Sequence, residues 1–287
     1  MLPKYEEKTF ESYFNTELSR RSKIYFPFGQ VQEGSIGADS AAMSQNLWLW
    51  KLLGYPSYRH FTGEDLRVIA DEMERHLNHA IRHIPAIKTN LLFQYKRPEV
   101  ITRANGAEWP HWKQCYFRYA IYAEQQKLLQ HIDGKFGSKA LILYASPALA
   151  DVNDLVNTKI SGKIIEATNF CRVAKLHGHH RNTYIHAGLY SIACSDPEEL
   201  PPFDLLATLD MLEYSRSESN IENVQTFTSL VRNATEDDPY LGSSYRALLQ
   251  PLQEQGLEEY NLFFAHVAMS VFRELTGAQW LLAVGSV

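Results

Sequence analysis

The sequence predicts an α/β fold: a core over residues 1–195, followed by a helical C-terminal region over 196–287. Three observations carry this expectation. Helical and extended patterns alternate along the first half, as they do when helices pack on a sheet. Two short apolar runs, "LLFQYK" (91–96) and "KALILYASP" (139–147), read as strands of a sheet interior. Ahead of them, Leu66, Ile69, Met73, Leu77, Ile81 and Ile84 form an apolar stripe at helical spacing.

Taken in order, "YEEKTFESYFNTELSRR" (5–21) is an amphipathic helix, with Phe10, Phe14 and Leu18 recurring every four residues and Tyr13 widening the stripe. "KIYFPFGQV" (23–31) reads as a strand, "QEGSIGADS" (32–40) as a glycine-punctuated turn or second strand, and 40–54 as a helix ending at Gly54. The clearest helix, 62–84, takes Thr62 as N-cap and stops at Pro85. A loop with Gly106, Trp109, Pro110 and Trp112 follows the first core strand. "CYFRYAIYAEQQKLLQHID" (115–133) then reads as a helix with Phe117, Ile121, Leu128 and Ile132 inward. Elements alternate less clearly from 150 to 195, "SDPEELPPFD" (195–204) reads as a linker, and the remainder reads as helical. There is no internal repeat.

With 45% hydrophobic and 21% charged residues over 287 positions, the chain is an ordinary globular one with enough length for a large core. No apolar run approaches the roughly 18 residues of a membrane span. The opening "MLPKYEEKTFE" lacks the apolar core of a signal peptide, and Cys115, Cys171 and Cys194 form no disulfide framework, so a cytoplasmic protein with no membrane association is expected. A formal net charge of −5 excludes a generally basic nucleic-acid coat, so phosphate contacts must be local. "RRSK" (20–23), "KRP" (96–98) and "CRVAKLHGHHR" (171–181) are the local candidates.

One strand poses a chemical question. Side chains alternate along a strand, so Leu92, Gln94 and Lys96 share one face and Leu91, Phe93 and Tyr95 the other. An inward lysine is costly unless it meets something anionic. Either 91–96 is an edge strand with a wet face, or its polar face lines a site. Upstream, Asp39 follows Gly37 in "EGSIGAD". An acid leaving one strand, with an oxygen ligand and a lysine two residues apart on a neighbouring strand, suits metal-dependent phosphodiester cleavage. The oxygens hold a hard cation, the metal acidifies water, and the lysine orients that water and stabilises the phosphorane.

At these residues, "GAD" (37–39) and "FQYK" (93–96), the chain resembles the PD-(D/E)xK restriction-like nucleases, in the variant where Gln replaces the second acid. The resemblance covers about residues 1–150, including the opening helix, the helix carrying Arg118, Tyr122 and Gln125, and the "ALILYASP" strand. It implies a restriction-endonuclease-like mixed sheet flanked by helices, with the 62–84 helix inserted in the core. It implies a Mg²⁺- or Mn²⁺-dependent DNA endonuclease with Asp39 and Gln94 on the metal and Lys96 as the catalytic lysine. A third acid would come from Glu33, or from Glu7 or Glu11 of the opening helix. Such nucleases serve restriction or host defence, often as homodimers, and a regulatory partner protein is expected. The alternatives are a weakly active member of the fold that binds nucleic acid in a larger complex, and a protein-interaction module in which 91–96 is an edge strand.

Rival sites carry less chemistry. His177, His179, His180 and His186 cluster without the spacing of a zinc site, and with Arg172, Lys175 and Arg181 nearby they read as a phosphate-contacting or structural surface. His76, His79 and His83 share an exposed helix face. No GxSxG occurs, "GKFGSKA" (134–140) has the wrong spacing for a phosphate loop, and no basic recognition helix is evident.

Overall fold

A computed structural model describes residues 2–25, 66–213 and 218–285. In chain order its elements are α1 (Glu7–Arg21), β1 (Ile24–Tyr25), α2 (Leu66–His83), β2 (Ile87–Tyr95), β3 (Glu99–Ile101), the one-turn α3 (Trp109–Trp112), β4 (Tyr116–Ala120) and α4 (Ala123–Phe136). They continue with β5 (Ala140–Pro147), α5 (Val152–Ile160), β6 (Thr168–Arg172), β7 (Arg181–Tyr184), β8 (Ser191–Cys194), β9 (Glu198–Leu200) and α6 (Leu205–Met211). Last come α7 (Asn220–Glu236), α8 (Gly242–Glu254), α9 (Asn261–Thr276) and β10 (Ala278–Val284). The expected turn at 32–40 with Glu33 and Asp39, the helix at 40–54 and the Thr62 cap lie outside the described residues.

The chain divides into two compact units. The first takes Met1–Tyr25, Ile87–Ser215 and Thr276–Val287, and the second takes Phe26–Ala86 and Arg216–Leu275. The first unit is α/β. Its main sheet has the order β1-β10-β2-β5-β6, in which β2 and β5 run parallel and every other pair is antiparallel. A second sheet, β3-β4-β7-β8-β9, is antiparallel throughout.

The position of β2 decides between the two readings of its polar face. Flanked by β10 and β5, it is an interior strand with both faces buried, not an edge. The helix α1 covers the Leu91, Phe93 and Tyr95 face. The Phe14 ring lies 5.4 Å from Phe93, 5.5 Å from Tyr95 and 5.8 Å from Phe170, and Phe10 packs edge-on to Tyr95 at 5.8 Å. Such tilted and edge-on rings contribute beyond their buried area. Tyr95 donates its hydroxyl to Asn15 Oδ1 at 2.6 Å, which fixes the helix along the strand. The opposite face carries Asn90, Leu92, Gln94 and Lys96. There Asn90 accepts from Trp280 Nε1 of β10 at 3.0 Å. Further along, α4 is fixed by Gln126, which accepts from Tyr144 of β5 at 2.7 Å and donates to the Val173 carbonyl at 2.9 Å.

Three expectations are corrected. The helix expected from 115 starts only at Ala123, and Tyr116–Ala120 is a strand paired with β3 and β7. Phe117, Tyr119 and Ile121 are spaced by two as well as by four. The aromatic-rich stretch takes the strand period because the Phe117 ring stacks on Tyr184 at 5.6 Å across the ladder. The indistinct 150–195 stretch and the expected linker supply α5 and β6 to β9. The C-terminal region is helical through Thr276, but its end is not: Ala278–Val284 inserts between β1 and β2 as a main-sheet strand. Gly277, at φ +72°, makes the left-handed step into β10 that a side chain would resist.

Helices make up the second unit as described. The predicted stripe of α2 is its buried face, and Ile69, Ala70 and Met73 pack with Leu257 and Phe263. Glu74 of α2 accepts the Leu262 and Phe263 amides at 2.7 and 2.9 Å, capping α9 where its dipole favours an anion. Asn220 donates to the carbonyls of Ile81, Ile84 and Pro85, closing the end of α2. Among the described residues no helix is long and apolar enough to cross a membrane.

Phe14, wholly buried among four aromatic rings, is the keystone of the α1 face. Phe14→Ala should cost about 3–5 kcal/mol in urea unfolding, and Phe14→Leu distinctly less. Equal, small losses for both would show that α1 is not packed as described.

Candidate functional site

The site forms where β2 ends. Beyond Tyr95 the ladder continues one residue, with the Lys96 amide donating to the Ala145 carbonyl at 2.9 Å. The Lys96 carbonyl accepts from Ser146 Oγ at 3.0 Å, and that hydroxyl in turn accepts from Tyr184 at 2.8 Å. The backbone of Lys96 is therefore fixed by the main sheet and by a second-sheet tyrosine. The residue is only 7% exposed, and Gln94 only 3%.

One amide joins the two. Gln125, in the first turn of α4, accepts from Lys96 Nζ at 3.0 Å and donates to Gln94 Oε1 at 2.7 Å. Its Nε2 also donates to the Thr276 carbonyl. Gln94 Nε2 donates to the Tyr95 carbonyl at 3.3 Å, which leaves Oε1 as the atom turned toward Gln125. Aromatic faces complete the lysine's surroundings, with Tyr122 centred 4.9 Å and Tyr144 5.6 Å from Nζ. Such contacts stabilise a desolvated ammonium.

The first turn of α1 brings an acid to the same end. Glu7 Oε2 accepts the Arg97 amide at 3.1 Å, while the buried Glu11 pairs with Lys8 at 2.9 Å. The Glu7 charge couples with Lys96. Burial pushes the Glu7 carboxyl above its ordinary value. The Lys96 charge and then the Arg97 amide pull it back down, and Glu11 pushes it up again. Burial lowers Lys96 from 10.5 to about 8, with the Glu7 charge opposing the shift. A lysine so placed releases its proton far more readily than one in water.

The structure thus brings together Gln94 and Lys96, with the Glu7 charge acting on Lys96, whereas Asp39 and Glu33 lie outside the described residues. Sequence reading placed Gln125 on the right helix without seeing that it bridges the pair, and it missed Tyr144 altogether. The signal for Gln125 was an amide in the first turn of the helix leading into β5. Arg118, expected on that helix, is on β4 and pairs with Glu99 at 2.7 Å. The donors present are oxygens, the type a hard divalent cation takes. Among the described residues, no three His, Cys, Asp or Glu side chains are grouped as a metal site.

The histidines do not converge. His177 lies 3.3 Å from Gln130 Oε1, His179 3.4 Å from Glu198, and His180 2.5 Å from Ser195 Oγ, while His186 is exposed. Nearby, Arg181 pairs with the buried Glu108 at 3.2 Å and Arg172 with Asp133 at 3.8 Å, so both arginines already meet acids.

Burying Lys96 has a stability consequence whose sign follows from its lowered value. The folded state binds the proton less well than the unfolded chain, so the penalty is full below about pH 8 and fades as pH rises toward 10.5. Lys96→Met should therefore raise unfolding stability by about 1–3 kcal/mol at pH 7, with a smaller gain at pH 10. A variant less stable than wild type at both values would show that the lysine is not desolvated as described.

Comparison of the chain with protein-family models, with curated proteins and with solved structures finds no match. The chemistry of the site itself is therefore the guide to function.

Proposed function

We propose that the protein is a metal-dependent DNA endonuclease of the PD-(D/E)xK type, acting by phosphodiester hydrolysis. The observation that carries this reading is the buried Lys96 at the end of a central strand, two residues beyond a buried Gln94, with both held by Gln125. A stability-costly lysine on an interior strand needs a chemical reason, and an anionic substrate supplies one. Two features of the topology support the reading, although the neighbours of β2 are β10 and β5 and neither carries Asp39. The strand bearing Gln94 is followed by a helix and a parallel neighbour, and the opening helix covers its other face.

In this reading Asp39 and Gln94 Oε1 would hold Mg²⁺ or Mn²⁺, with Glu7, whose charge acts on Lys96, as the third acid ahead of Glu11 and Glu33. The chemistry supplied by such a cation is neutralisation of phosphate charge and acidification of water. Lys96 does the rest. As an ammonium it donates to a non-bridging phosphate oxygen and stabilises the charge that builds in the transition state. As the neutral amine, which burial makes accessible near neutral pH, it takes the proton of the attacking water. Gln125 holds Nζ in line with Gln94, and Tyr122 and Tyr144 flank the ammonium and restrict its rotamers. A homodimer would cut both strands, and control by a partner protein in host defence fits the same reading. The neutral Gln94, whose oxygen already accepts from Gln125, favours a second reading as a weakly active member of the fold that binds nucleic acid inside a larger complex.

Cleavage of supercoiled plasmid with Mg²⁺ or Mn²⁺ separates these. Lys96→Ala, Asp39→Ala and Glu7→Gln should each lower the rate by at least about a hundredfold, and EDTA should abolish it. Wild-type binding without cleavage would favour the second reading. Cleavage by all three variants at wild-type rates would place the chemistry elsewhere.

A further inference from the structure

We infer that Tyr122 is a stacking platform for an unpaired nucleobase beside the scissile phosphate, so that the strand to be cut is engaged where it is unpaired. This rests on the nuclease reading of the Lys96 site. Tyr122 is 63% exposed and its ring lies beside the buried lysine. Its backbone is fixed at the N-cap of α4, where its carbonyl accepts the Gln126 amide at 2.8 Å, while its side chain makes no cap. One side of the ring meets Lys96 Nζ at 4.9 Å, and most of the remaining ring surface is open to solvent. Tyr144, the other ring beside the lysine, is wholly buried and closed to a ligand.

The spacing links the ring to the reaction. A phosphate that reaches Nζ lies within one or two nucleotide steps of the ring, since stacked nucleotides rise by about 3.4 Å along a strand. In a duplex both faces of every base are covered by neighbours, so only an unpaired base has a face to offer. Net charge points the same way. At −5 the chain has little general attraction for a polyanion, so affinity must draw on stacking, which every base can supply.

Full-length wild type, Tyr122→Ala and Tyr122→Phe would be compared in two assays. One is fluorescence anisotropy with a dye-labelled oligothymidylate, single-stranded or annealed, in EDTA. The other is cleavage of the same strands with Mg²⁺. Wild type should prefer the single strand, Tyr122→Ala should weaken that binding about tenfold or more, and Tyr122→Phe should keep it. In cleavage, Tyr122→Ala should raise KM for the single strand about as much as it weakens binding, and Tyr122→Phe should restore it. Binding that is unchanged in Tyr122→Ala, a preference for duplex, or no wild-type binding to the single strand would overturn the platform. Cleavage without Tyr122 dependence sinks the platform and leaves the nuclease reading standing. Tyr122-dependent binding without any cleavage sinks the nuclease reading and leaves the platform.

Discussion

The site depends on one constraint, a lysine ammonium held inside a sheet. Lys96 is on a strand with neighbours on both sides, and its ammonium meets an amide oxygen and two aromatic faces. Each of these partners stabilises a cation less than a directly paired carboxylate would, so burial dominates and the lysine's affinity for its proton falls. The surrounding elements can be understood as what it takes to hold that arrangement. The helix α1 secures the opposite face with Phe10 and Phe14, α4 delivers Gln125, and Tyr184 of the second sheet fixes the backbone through Ser146.

Much of this was legible before the structure. The alternation at 91–96 gave the correct faces, because a strand period of two leaves no freedom once Leu91, Phe93 and Tyr95 are taken as apolar partners. Stripes at helical spacing gave α1 and α2 for the same reason. What failed was any assignment that depended on a distant partner. Ala278–Val284 follows closely on a helix, and its pairing with β1 and with Ile87–Gln94 makes it a strand. Tyr116–Ala120 satisfies both periods, and the ladder with β3 and β7 decides between them. Gln125 was visible as a residue but not as a bridge, because its role is set by Thr276, far along the chain.

The insertion of β10 next to β2 has a bearing on the site as well as on the sheet. Ala278 lies opposite Gln94 in the register, and a side chain added at Gly277 would sit 3.4 Å from Gln94 Nε2. The small residues at this corner leave room for the amide, and the Thr276 carbonyl holds Gln125 from the same corner. The last strand is thus part of the site's wall. A chain cut before it would lose one of the two neighbours of β2.

The choice of glutamine at 94 follows from the same electrostatics. A carboxylate at that position would stand two residues from Lys96 on the same buried face. As an ion pair it would hold the lysine protonated. A neutral amide still offers an oxygen to a cation, yet adds no negative charge, so the lysine's proton stays labile near neutral pH. The negative charge on the described side comes instead from Glu7, whose own carboxyl is pushed up by burial and pulled down by Lys96. Two ionisable groups displaced from their ordinary values, one from each of two elements, with a neutral amide bridge between the strand and the following helix, form an arrangement suited to moving a proton. A purely structural site would gain more stability from an apolar side chain in place of Lys96 than it retains from this one.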